Sequence, residues 1–202
     1  PVSIALKVIR YSDASFVEDQ DQWWFGGIHR SVYLYTTANT FIQDVETLSY
    51  IDDYKKIEKS SKPLLQADST IPLKVTMGMS EPDKIVTRRT NQENDNFFRT
   101  IKYQVFELEN SLDNPKLGKL VAEGDEKVPF NYRVNQNIFE KDIKIKKAKL
   151  WSHENPNLYV VTVALFDEDK LLEATAFTTG FKSVEVKNRE LLINKKMVYI
   201  KG

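Results

Sequence analysis

The residues best equipped for chemistry lie between Arg10 and Tyr35. Asp13, Glu18, Asp19 and Asp21 fall between Ser12 and Asp21, followed by Trp23, Trp24, Gly26-Gly27, His29 and Arg30. Carboxylates accept hydrogen bonds from hydroxyls, and an aromatic face packs against the apolar C–H face of a pyranose. Acids beside tryptophans are therefore what a sugar-contacting loop needs. The same residues also suit an acidic surface loop leading into a core tryptophan. Gly26-Gly27 serves a tight turn or a close backbone approach in either case.

Composition removes other chemistries. The 202 residues include no cysteine and two histidines, His29 and His153, with no HExxH spacing. Disulfides, thiolate catalysis, cysteine-based zinc sites, iron–sulfur clusters and histidine-rich metal centres are excluded. Lys plus Arg and Asp plus Glu are 29 each, so no global positive field draws in nucleic acid. Arg88-Arg89 could touch phosphate, but a lone pair in a neutral chain reads as a solvated loop. The longest apolar run, Leu158 to Phe166, falls well short of the roughly 20 residues of a membrane helix. Neither nucleic acid nor membrane is expected as a partner.

The elements that must position these residues are strands. Ile71, Leu73, Val75, Met77 and Met79 occupy alternate positions, as do Ile101, Tyr103 and Val105, and Ile143 and Ile145. That spacing puts one face inward and the other outward. Leu158 to Phe166 is apolar on both faces, which suits a central strand. Further strands are expected over 5–11, 31–36, 41–50, 128–134, 171–181 and 197–201. Turns are expected at Glu81-Pro82-Asp83, Asp113-Asn114-Pro115, Gly124-Asp125 and Asn155-Pro156-Asn157. Polar loops are expected over 52–69 and 87–96, and Ile143 to Lys147 reads as a basic edge whose lysines discourage further pairing. No helical period runs beyond about two turns, so an all-β sandwich is expected. Trp151, before a proline turn and an apolar strand, reads as a core plug.

Three segments resemble glycoside hydrolase family 2. Ser12-Asp13, Ser15, Glu18-Asp19-Gln20-Asp21, Trp23, Gly27-Ile28, Arg30 and Val32 match the end of its N-terminal sugar-binding jelly roll, most closely in the β-galactosidase branch. Ala14 and Gly26 depart from that pattern, and Trp24 stands where arginine is frequent. The run from Gly27 through Tyr35-Thr36-Thr37 is equally similar to the β-glucuronidases. Leu150-Trp151-Ser152-His153-Glu154-Asn155-Pro156-Asn157-Leu158-Tyr159 resembles the motif closing the family's immunoglobulin-like sandwich. Gly180-Phe181-Lys182-Ser183-Val184 and Leu191-Leu192-Ile193-Asn194-Lys195-Lys196 resemble the hairpin that opens its catalytic (β/α)8 barrel. Lys195 replaces a turn glycine there, and Met197 replaces a proline.

The resemblance implies an immunoglobulin-like β-sandwich over residues 38–182. Residues 1–37 would end the jelly roll, and 183–202 would begin the barrel. Both ends read as cut, so an excerpt of a longer protein is expected. A β-galactosidase would cleave terminal β-galactosyl residues with retention, using two glutamates of the barrel. No catalytic residue is therefore expected here, and the segment alone should be inert. Asp21 matches an aspartate that contacts the sugar and helps hold a sodium ion. Na+ and Mg2+ are the ions implied for the longer enzyme, with no cofactor required by the segment itself. The implied partners are the carbohydrate, the remaining jelly-roll and barrel domains, and further copies in a homo-oligomer. Arg30 would pair with Asp19, while His29, Trp23 and Trp24 would pack. A β-glucuronidase segment and an immunoglobulin-like carbohydrate-binding or adhesion module are the rival readings. The compartment is left open.

Overall fold

Alternating apolar residues can bury one face only if a second sheet covers it. The computed structural model describes residues 3–17, 26–54, 62–80, 97–109, 114–131 and 136–200, and shows that arrangement. The chain divides into two compact units, Pro1–Thr36 and Thr37–Gly202.

The second unit is an all-β, immunoglobulin-like sandwich of antiparallel strands. Strand β3 (Gln66–Met79) is the spine of one sheet. On one flank it pairs with β1 (Thr40–Thr47) and then with β2 (Tyr50–Ile51); on the other it pairs with β6 (Asn137–Lys149). The second sheet runs β5 (Lys116–Phe130), β4 (Phe97–Glu109), β7 (Tyr159–Asp167), β8 (Lys170–Thr179). The apolar run that reads as a central strand is thus β7, between β4 and β8.

Ile71, Val75 and Met77 of β3 meet Ile101 and Val105 of β4 and Val161, Val163 and Leu165 of β7 in one core, each fully buried. Burying such a side chain stabilises the fold by about 1.5–3 kcal/mol. The sheet margins are stitched by polar contacts. β1 loses register between Ile42 and Asp44, and the Ile42 N–H there donates to Glu173 Oε2 of β8 at 2.7 Å. Ser49 and Thr179 hydroxyls meet at 2.7 Å, and Lys141 of β6 pairs with Glu126 of β5. β6 forms the margin of its sheet, with Ile143 and Ile145 buried and Lys144 and Lys146 exposed, as its alternation predicts.

Several expectations are corrected. Gly124-Asp125 is not a turn: both lie inside β5, opposite Tyr103 and Lys102. The glycine is there because the Tyr103 side chain crosses it, and a Cβ at 124 would fall 2.4 Å from the phenol oxygen. The expected loop over 52–69 is shorter, since Gln66–Ser69 already pair with β6. Here β6 sets two residues, 146 and 147, opposite Asp68; Lys147 takes a positive φ of 50° and its N–H donates to the Asp68 carboxylate at 2.8 Å. That local bond, and burial of Ala67 and Ser69, outweigh the polar composition. β5 ends at Phe130, and β11 (Lys196–Met197) is shorter than the expected 197–201. Residues 81–96, including Arg88-Arg89, and 132–135 lie outside the described residues.

Gly124→Ala should destabilise the chain by about 1–3 kcal/mol, because a buried tyrosine ring must shift to admit the methyl group. Urea unfolding checks this. A cost below about 0.5 kcal/mol would mean the ring moves freely.

Candidate functional site

In the first unit the one described regular element is α1 (Asp13–Val17). Ser12 precedes it: its carbonyl accepts the Ser15 N–H at 3.0 Å, and the Ser15 hydroxyl accepts the Ser12 N–H at 3.2 Å. These two bonds satisfy groups that a free helix start leaves open. On the far side of the acidic run, Gly27 has φ 109°, a conformation that a side chain strongly disfavours. Arg10 lies over the Tyr11 ring at 5.1 Å.

The expected strands over 5–11 and 31–36 are not formed. Their apolar side chains stay in solvent; Ile9 is 66% exposed and Leu34 81%. A strand exists only through ladder partners, and among the described residues of this unit none pairs. Asp21, Glu18, Asp19, Trp23 and Trp24 lie outside the described residues, as does the expected Arg30–Asp19 pair. His29 and Arg30 are both exposed. Among the described residues no group of three or more His, Asp or Glu side chains could hold a metal ion.

The second segment singled out by sequence, Lys149 to Tyr159, carries the chain from one sheet to the other. Between Leu150 and Leu158 the backbone lies in no strand ladder, so its buried groups need other partners. The Leu150 N–H donates to the Leu65 carbonyl at 2.9 Å and the Trp151 N–H to the Phe181 carbonyl at 2.8 Å. Asn157 Nδ2 donates to the Leu150 carbonyl at 2.9 Å. The Lys149 N–H donates to the Tyr159 hydroxyl at 2.8 Å, while burial raises that phenol's pKa. The proline turn forms as expected, with Ser152 N–H bonding the Asn155 carbonyl at 2.9 Å. Trp151 is not the plug: it is half-buried, with the Lys182 ammonium 4.6 Å from its ring centre. The plug is Tyr159 against Phe181, edge to face at 5.3 Å, with Phe181 fully buried.

Beyond Phe181 the chain forms a small sheet of β9 (Val184–Lys187), β10 (Glu190–Ile193) and β11. Each of its two-residue turns takes positive φ at both positions: Asn188 52° and Arg189 66°, then Asn194 48° and Lys195 68°. Such turns match the right-handed twist of the strands they join. Asn194 is 3% exposed. Its Oδ1 accepts the Ser183 N–H at 3.0 Å, and its Nδ2 donates to the Trp151 carbonyl at 2.9 Å. Its own N–H donates to the Ser183 carbonyl and its carbonyl accepts the Leu64 N–H, both at 3.1 Å. Lys196 forms an ion pair with Glu154, so the proline turn also touches the small sheet. Sequence reasoning missed this node. The signal was available as an Asn one place before the missing turn glycine.

With this geometry in place, the chain can be compared with known proteins. Residues 84–182 match the model for glycosyl hydrolases family 2, and residues 2–38 match the sugar binding domain of the same family. A β-galactosidase from Alteromonas mediterranea is 31% identical over 201 residues, covering 98% of this chain and 16% of the relative. One from Streptococcus thermophilus is 32% identical over 199 residues, with the same 98% and 16% coverage. The chain therefore spans 16% of the length of these curated relatives. A solved β-glucuronidase from Bacteroides uniformis has a TM-score of 0.61 and 17% identity, over 88% of this chain and 18% of its own, a likeness of fold. The chain belongs to glycosyl hydrolases family 2.

Lys195→Gly should stabilise the chain by about 0.5–1 kcal/mol, because glycine adopts this φ without a Cβ penalty. A denaturant midpoint that falls would show the lysine side chain matters more than the strain. Glu154 titrates below the ordinary carboxylate range, through its hydrogen bond to Lys196 and the lysine's charge. A lowered folded pKa gives stability at higher pH that is lost as pH falls through that value. Lys196→Met should return the Glu154 titration, followed by NMR, upward to the ordinary range.

Proposed function

We propose that this chain is the non-catalytic segment of a β-galactosidase that removes terminal β-D-galactosyl residues with retention. The observation carrying this reading is the similarity to β-galactosidases at 31–32% identity across 98% of the chain. In the proposal residues 1–37 end the sugar-binding jelly roll. Residues 38–182 form the sandwich that braces the barrel, and 183–202 begin the barrel itself. The solvent-facing apolar side chains of the first unit support this, because such runs suit strands whose partners belong to a larger sheet.

A retaining glycosidase needs two carboxyl groups about 5–5.5 Å apart, one acid/base and one nucleophile. In this reading both come from the barrel, and the segment supplies neither. Its contribution to the sugar is Asp21, a hydroxyl acceptor and a hard oxygen ligand for sodium. Helix α1 and the positive-φ Gly27 lie in the sequence on either side of that acidic run. Partners follow from the same reading: the carbohydrate, the other domains of the longer protein, and further copies in an oligomer. Sodium and magnesium are the ions it would use.

The run from Gly27 to Thr37 favours a second substrate, a β-glucuronide, on the same architecture. The test is hydrolysis of chromogenic β-galactoside and β-glucuronide by the longer enzyme containing this chain, with the 202-residue chain as blank. Galactoside cleavage is expected, with Asp21→Ala lowering kcat/KM by about tenfold or more, the usual effect of losing one hydroxyl hydrogen bond. Glucuronide cleavage alone would replace the substrate. An unchanged kcat/KM in the variant would remove Asp21 from the site.

A further inference from the structure

We propose that Asn194 is a positioning residue: its carboxamide latches the β9–β11 sheet to the sandwich and so fixes the direction in which the chain leaves it. The inference rests on the galactosidase reading for its functional consequence, and on geometry alone for the latch.

An asparagine in a two-residue hairpin turn ordinarily needs only its tolerance of positive φ, and its side chain can face water. Asn194 is different on two counts. It is 3% exposed, and its amide joins two segments outside its own hairpin strands. The oxygen takes the Ser183 N–H at 3.0 Å, where the chain has just left Phe181. The nitrogen gives to the Trp151 carbonyl at 2.9 Å, at the start of the crossing between sheets. Its backbone carbonyl adds the Leu64 N–H, ahead of β3. One residue thus ties the small sheet to two separate stretches of the sandwich, at Trp151 and Leu64, and to its own entry point at Ser183. Donor and acceptor are both used, so neither an acid nor an alkyl group of that size can replace the amide.

Rigid attachment matters because everything after Ile200 inherits its orientation from β9–β11. In a glycosidase whose barrel follows, sugar-binding groups on different domains meet correctly only if these connections do not swing. A displacement of about 1 Å at a reacting centre costs on the order of a hundredfold in rate.

Asn194→Gly is the variant to use, since glycine keeps the positive φ and removes only the carboxamide. In the 202-residue chain, the Ser183 amide should exchange with deuterium at least about tenfold faster, while the β3 and β7 amides keep their protection. In the longer enzyme, KM for a β-galactoside should rise by about tenfold. A purely structural loss would reduce the amount of active enzyme and leave KM alone, because KM does not depend on enzyme concentration. Lys195→Gly, in the same turn but with the amide intact, should leave KM unchanged. Unchanged Ser183 exchange would overturn the latch. Faster exchange with unchanged KM would overturn the positioning role. An unsubstituted enzyme that cleaves no galactoside would instead sink the galactosidase reading, and the exchange result on the chain would still decide the latch.

Discussion

The sandwich depends on how the backbone is satisfied where it leaves one sheet for the other. Between Lys149 and Tyr159 the chain must pass between two sheets whose facing residues are fully buried. His153 to Pro156 stay in solvent, but at the buried start of the crossing, around Leu150, a peptide group without a partner costs about as much as a lost hydrogen bond. Outside the proline turn, which closes on its own Asn155 carbonyl, the partners come from segments distant in sequence or from side chains: Leu65, Phe181, Asn157, Asn194 and the Tyr159 hydroxyl. The crossing is therefore not an independent loop. Its conformation is set jointly by β3, β7, the Phe181 segment and the small terminal sheet.

The same requirement explains which residue types appear there. Pro156 and Asn155 shape the turn, and Ser152 closes it through both its N–H and its hydroxyl. Tyr159 does two jobs, filling the core against Phe181 and accepting the Lys149 N–H. A phenylalanine would do only the first. At the margins, Glu173 and Ser49 use side chains to supply what strand pairing does not. The sheets are thus joined by apolar packing in the middle and by specific polar bonds at the rim.

Much of this was legible in the sequence because strand alternation is a local signal. Ile71 to Met79 and Ile101 to Val105 reveal their inward faces without any knowledge of partners. What misled was also local. Gly124-Asp125 has turn composition, but the glycine answers to Tyr103 on the neighbouring strand, which no window of sequence contains. The apolar runs in 5–11 and 31–36 carry strand composition, yet composition cannot supply a partner strand. Trp151 reads as the plug because it precedes a proline turn and an apolar strand. Phe181, thirty positions on, fills the core instead, and only the fold brings it there. The acidic run around Asp21 was recognisable from its family pattern. Its flanks carry the local Ser12–Ser15 bonds and the positive φ of Gly27, features of backbone geometry that residue type alone does not reveal.

The contact between Tyr103 and Gly124 reaches beyond packing. Change at either position alone carries a cost: a side chain at 124 meets the tyrosine ring, and a smaller residue at 103 leaves a void beside a glycine. The two sites are energetically coupled. A side chain at 124 is accommodated at least cost when the ring opposite it is smaller. The pair therefore acts as one unit in which a substitution at either position changes the energetic cost at the other, a coupling that belongs to the sandwich alone.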